Sequence, residues 1–157
     1  MGNLRVAVCD DEPMDLVQTI TLIQQYDTGK CFDIFSYTRA VDLLKIALEK
    51  PFDVVLLDIE METPNGYEIA KKLVMLPSPP VIIFVTKSSA YTLKGYGIAL
   101  RYLQKPLARA AFEEALDASV HEAIAHRLYF TSEDRTVALP LREILYIEMF
   151  GHYACLL

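Results

Sequence analysis

Four consecutive residues in the middle of the chain, Val54-Val55-Leu56-Leu57, are apolar without a break and run straight into Asp58. A strand with one face in water alternates apolar and polar side chains, so an unbroken apolar run of this length fits a central parallel strand covered on both faces. Two more runs have the same character, Leu4 to Cys9 and Val81 to Val85. Longer segments of helical period separate them, and that alternation marks a parallel sheet with helices on both faces.

Five such units fit before residue 127. The first strand, Leu4 to Cys9, leads to a helix that follows Pro13 and whose inner stripe is Leu16, Ile20 and Ile23. A second strand over about Cys31 to Phe35 precedes a helix capped by Ser36 or Thr38, with Val41, Leu44, Ile46 and Leu48 as its apolar face. The third helix runs from about Gly66 to Leu76 and is stopped by Pro77, Pro79 and Pro80. After the fourth strand, which ends at Thr86, come a weak helix near Tyr91 to Tyr96 and a short strand around Tyr102-Leu103. The last helix, about Leu107 to His126, places Phe112, Leu116, Val120 and Ile124 at four-residue spacing.

Beyond His126 the period changes. Leu128 to Phe130, Thr136 to Leu139, Ile144 to Ile147 and Tyr153 to Leu156 are short strand-like runs separated by turn residues. This pattern divides the chain into residues 1–126 and 127–157, the second part a short antiparallel segment too small for an ordinary core of its own.

The net charge of −6 excludes nucleic-acid binding over the whole surface, which needs clustered Lys and Arg. Cys9, Cys31 and Cys155 show no metal-ligand spacing and read as thiols in a reducing compartment. No signal peptide opens the chain, and no apolar run approaches the ~18 residues of a membrane span. The expectation is a cytoplasmic protein with no membrane partner.

In an open parallel sheet, ligands bind beyond the carboxyl ends of the strands. Those ends carry Asp10-Asp11-Glu12, Asp58, Thr86 and Gln104-Lys105-Pro106. Each alone is ordinary: an Asp pair after a strand commonly caps a helix, and a lone Thr or Lys there is commonly structural. Together, in this order, they describe a site. Converging carboxylates repel unless a cation joins them, and an all-oxygen set that keeps waters suits Mg²⁺. Such an ion offsets the charge that builds when a carboxylate attacks phosphorus, while Lys105 and the Thr86 hydroxyl bind the other phosphoryl oxygens.

The stretches VAVCDDE, FDVVLLDIEM with Gly66 eight residues after Asp58, IIFVT and RYLQKP closely resemble the response-regulator receiver family over about residues 4–126. The resemblance implies a doubly wound α/β fold, flavodoxin-like, with five parallel strands in the order 2-1-3-4-5. It implies that Asp58 is phosphorylated by a sensor histidine kinase, with Mg²⁺ held by Asp11, Asp58, the main-chain carbonyl of Glu60 and, through water, Asp10. It further implies that Thr86 and Tyr102 form the switch, that Lys105 binds phosphate, that the Lys105–Pro106 bond is cis, and that homodimers form through the helix-four to helix-five face. The chain is then a phosphoacceptor that assists its own phosphorylation, not a turnover enzyme.

Two departures from the family pattern stand out. Glu62 with Thr63-Pro64-Asn65 replaces the usual Pro after the phosphoacceptor, predicting a loop of different shape, and Lys87 occupies a position usually held by a small residue. A cation there either gates the site or pairs with Glu60. The tail, Thr136 to Glu148 and then Gly151-His152-Tyr153, resembles the opening of a LytTR-type DNA-binding domain, with His152 near a loop that approaches DNA. Promoter binding is expected only from that domain when complete. Two other readings use the same residues: a pseudo-receiver that binds partners without phosphorylation, and a haloacid-dehalogenase-like phosphatase, whose second carboxylate Glu60 fits only in part.

Overall fold

The computed structural model describes residues 3–29, 31–90, 97–132, 135–141, 144, 147–150 and 153–156. Five parallel strands, β1 (Leu4–Cys9), β2 (Phe32–Tyr37), β3 (Val54–Leu57), β4 (Val81–Thr86) and β5 (Arg101–Gln104), form one sheet in the order β2-β1-β3-β4-β5. The strand-order reversal at β1 and β3 creates the crevice expected at the carboxyl edge.

Period-two alternation assigns each strand residue to a face. Val6, Val8, Val54, Leu56, Ile83 and Val85 pack on one side with Leu16 and Ile23 of α1 (Pro13–Tyr26) and Phe112 and Leu116 of α4 (Arg109–Ala125). Ala7, Cys9, Val55, Leu57, Ile82 and Phe84 face the other side. There they meet Leu43 of α2 (Ala40–Glu49) and Ile69 and Leu73 of α3 (Gly66–Leu73). Burying each of the larger side chains contributes about 1.5–3 kcal/mol, which is what fixes the central strands so firmly.

Several local expectations need correction. β2 pairs with β1 as far as Cys9↔Tyr37, so Ser36 is spent inside the strand. Arg39 occupies the N-cap of α2, without a side-chain cap bond. The buried stripe of α2 is Ala40, Leu43 and Ala47, and Leu48 is exposed. α3 stops at Leu73, and the amides of Met75 and Leu76 bond to carbonyls three residues back. Pro77 explains this tightening, since a residue before proline is pushed out of helical geometry. Ile124 is exposed while Ser119 and Ala123 are buried. Four-residue steps overshoot a 3.6-residue turn, and three of them carry a side chain about 120° around the helix. The weak helix expected near Tyr91 to Tyr96 lies outside the described residues.

In the tail, β6 (Arg127–Ser132) pairs antiparallel with β7 (Arg135–Pro140), and β8 (Ile147–Phe150) pairs antiparallel with β9 (Tyr153–Leu156). β8 begins at the last residue of the run expected at Ile144 to Ile147. Ile144 instead closes a turn onto the Leu141 carbonyl. Leu145, Tyr146, Gly151 and His152 lie outside the described residues. Arg127 anchors the start of the tail: its guanidinium bonds Asp53 Oδ1 at 2.6 Å, at the foot of β3.

Candidate functional site

The sheet register builds the site. The Asp58 amide donates to the Cys9 carbonyl at 2.9 Å, which extends the β1–β3 ladder by one residue and sets Asp58 beside Asp10. The Asp10 side chain turns back to accept the Glu12 amide at 3.0 Å, and α1 starts directly after. On the other flank the Lys105 amide donates to the Thr86 carbonyl at 2.9 Å, and the Lys105–Pro106 bond is cis, as the resemblance implied.

Lys105 is the centre of the arrangement. Its Nζ lies 2.6 Å from Asp10 Oδ2, 2.9 Å from Asp15 Oδ2 and 3.1 Å from Asp58 Oδ2, so all three ammonium hydrogens have carboxylate acceptors. Burial pulls this ammonium down, but the bonds it donates to Asp10 and Asp15 and the charge of Asp58 outweigh that and its pKa rises. Burial raises the Asp10 carboxyl, opposed by Lys105 and the Glu12 amide. The Cys9 thiol beneath the site is pushed up to about 12 by burial and by the surrounding acids.

Carboxylate oxygens of Asp10, Asp11 and Asp58 lie within 4.8 Å of one another. Two ligands of one Mg²⁺ sit ~2.1 Å from the ion and hence at most about 4.2 Å apart, so a small closure brings this hard-oxygen set onto one ion. Exposed Asp11 offers its carboxylate from the solvent side, and buried Asp10 and Asp58 offer theirs from the core. The donor set fits the ion.

Other expected residues take places around this core. The Glu60 amide donates to Asp58 Oδ1 at 3.1 Å, while its side chain points to solvent. Thr86 is fully buried and its hydroxyl accepts the Ser88 amide at 3.4 Å. The Tyr102 ring packs edge-on against Phe84, centroids 6.3 Å apart, and its hydroxyl donates to the Ser88 carbonyl. One segment, Thr86 to Ser88, therefore touches both expected switch residues.

Lys87 pairs with Asp15 at 3.4 Å and not with Glu60, because the first turn of α1 brings Asp15 to the rim of the crevice. Asp15 is the residue that sequence reasoning missed. It stands in the first turn of α1, four residues after Asp11, which lies in the turn between β1 and α1. The loop after Asp58 has its own shape: the Thr63–Pro64 bond is cis, and Asn65 and Glu68 form a reciprocal capping box at the start of α3. A β-carbon on Gly66 would fall 1.8 Å from the Asp58 carbonyl oxygen, so only glycine lets α3 start this close to the site.

Residues 6–117 match the family model described as "Response regulator receiver domain". The chain is similar to the sensory transduction protein LytR of Streptococcus mutans, at 26% identity over 90% of this chain and 64% of that protein. It is 32% identical to the positive alginate biosynthesis regulatory protein of Pseudomonas aeruginosa, over 72% of this chain and 46% of that protein. It thus spans about half to two thirds of the length of these relatives. Among solved structures, the response regulatory domain of protein mrkE from Klebsiella pneumoniae superposes with a TM-score of 0.70 at 20% identity, covering 76% of this chain and 98% of that one. A two component transcriptional regulator AraC from Clostridium phytofermentans gives 0.67 at 25% identity, covering 79% and 98%.

Proposed function

The chain belongs to the response regulator receiver family of two-component signalling, and from that premise we propose that Asp58 accepts a phosphoryl group from a sensor histidine kinase and thereby controls a LytTR-type output domain. The observation that carries the proposal is the convergence on Asp58 of a buried ammonium and two further carboxylates. An isolated acidic cluster would repel; here Lys105 offsets part of the charge, and the oxygens on the solvent side suit a divalent ion.

An oxygen of Asp58 attacks phosphorus, the P–N bond of the donor phosphohistidine breaks, and its electron pair stays on the imidazole nitrogen. Lys105 then exchanges one carboxylate for a phosphoryl oxygen, a short move because its ammonium already sits 3.1 Å from Asp58. Asp11, Asp58, the main-chain carbonyl of Glu60 and, through water, Asp10 would hold Mg²⁺, which would supply positive charge against the phosphoryl oxygens. The Thr86 hydroxyl leaves Ser88 for the phosphoryl group, and the Thr86–Ser88 segment carries that change to the Ser88 carbonyl and so to Tyr102. The surface around β5 is then remade for homodimer contacts and output. The group is accepted and lost once per signal, without turnover of a separate substrate.

Promoter binding belongs to the complete output domain, and a cytoplasmic location follows from this role. Among the described residues no helix is long and apolar enough to cross a membrane.

Incubation with Mg²⁺ and acetyl phosphate, followed by intact-mass measurement, tests the proposal. A stoichiometric phosphoryl adduct absent from Asp58→Asn is expected. Sustained hydrolysis of many phosphomonoesters would point instead to a phosphatase, and no adduct at all to a pseudo-receiver.

A further inference from the structure

We propose that Asp15 is a positioning residue that holds Lys87 beside Lys105, so that a phosphoryl group at Asp58 meets two ammonium groups, one from the core and one from the solvent side. The inference rests on the reading of Asp58 as phosphoacceptor and adds a second anion-binding cation to it.

The geometry turns on one oxygen. Asp15 Oδ2 lies 2.9 Å from Lys105 Nζ and 3.4 Å from Lys87 Nζ. Two ammonium groups this close repel unless a carboxylate stands between them. The bond from Lys105, against the opposing effect of burial, holds the Asp15 carboxyl below its usual range, so the bridge is charged at neutral pH. The three side chains also form a gradient from core to water, with 7% of Lys105, 21% of Asp15 and 64% of Lys87 exposed.

That gradient decides what happens when a phosphoryl group arrives. Lys105 has three carboxylate acceptors and must release one to bind a phosphoryl oxygen. Asp15 is the most exposed of the three and the easiest to return to water, and Lys87 remains as its counter-ion. Lys87, still paired with Asp15 at the rim of the crevice, turns its remaining ammonium hydrogens to the outer oxygens of the incoming group. Neither residue is in contact with the phosphorus-accepting oxygen, so both act on binding of the anionic donor.

The test uses acetyl phosphate and Mg²⁺ with the whole chain, following adduct formation over a range of donor concentrations. Lys87→Ala and Asp15→Asn should each raise the half-saturating donor concentration by about two- to fivefold, the range of a partly screened ion pair. The Lys87→Ala/Asp15→Asn double variant should be no worse than the poorer single variant, Lys87→Arg should retain wild-type behaviour, and Lys87→Gln should not. The effect should shrink in high salt. A purely structural Asp15 would lower the melting temperature without this coupling to Lys87. Normal adduct formation with an unchanged half-saturating concentration in Lys87→Ala, or strictly additive losses, would overturn the inference and leave the Asp58 reading intact. Failure of the wild-type chain to form any adduct would overturn both.

Discussion

Gly66 presses its Cα so closely on the backbone of Asp58 that an added β-carbon would lie 1.8 Å from the Asp58 carbonyl oxygen and 2.7 Å from its carbonyl carbon. The Gly66 amide also donates to the Ile59 carbonyl at 3.1 Å, so the start of α3 and the end of β3 are locked together. Both partners are backbone, and neither yields as a flexible side chain would. Gly66→Ala should destabilise the fold by roughly 1–3 kcal/mol, as overpacking does, and should slow phosphorylation by moving Asp58. Urea unfolding checks the first effect, and an unchanged midpoint would contradict the contact.

A second lock lies at the opposite end of β3. Asp53 Oδ1 bonds Arg127 at 2.6 Å and Oδ2 accepts the Arg5 amide at 2.7 Å, with both charged side chains almost out of water. Asp53→Ala would strand a buried guanidinium and is expected to lose about 3–5 kcal/mol in urea unfolding. Adding Arg127→Met to that variant should restore part of the loss, since the stranded charge goes with it. A loss from Asp53→Ala below about 1 kcal/mol, the range of an exposed pair, would show that this pair is solvated.

Alkaline pH probes the seam between α1 and α4. The Tyr26 hydroxyl donates to Asp117 Oδ1 at 2.5 Å, and burial, reinforced by Asp117, pushes the phenol up to about 12. A raised folded pKa means that its stabilising contribution is complete below the ordinary phenol value of about 10 and disappears as pH rises through about 12. Tyr26→Phe should therefore be less stable than wild type by about 0.5–1.5 kcal/mol at pH 7. That difference should close between pH 10 and 12, and a difference independent of pH would contradict the bond.

The fold was legible because the central strands are buried on both faces, which leaves an unbroken apolar signature at Val54 to Leu57 and Val81 to Val85. Edges and helix faces were harder to read. β2 is one of the two edge strands, and only its pairing with β1 shows that it reaches Tyr37. On α2 and α4 small residues, Ala40, Ala47, Ser119 and Ala123, occupy the buried stripe, while Leu48 and Ile124 face water. Hydropathy alone favours the larger side chains and so misplaces the stripe. At the site, strand ends announced Asp10, Asp58 and Lys105 because topology alone brings strand ends together. Asp15 comes from the first turn of a helix, where an acidic residue is ordinary, and only the folded arrangement sets its oxygen between two lysines.

The role proposed for Asp58 turns on where phosphorus attaches. Brief exposure to acetyl phosphate and Mg²⁺, reduction of the adduct with borohydride, and peptide mass mapping would locate it, because an acyl phosphate on an aspartate is reduced to homoserine. Homoserine at position 58, in the peptide containing Leu57 and Ile59, is the predicted result. An unreduced Asp58 in a chain that carries phosphorus elsewhere, or none, would contradict it.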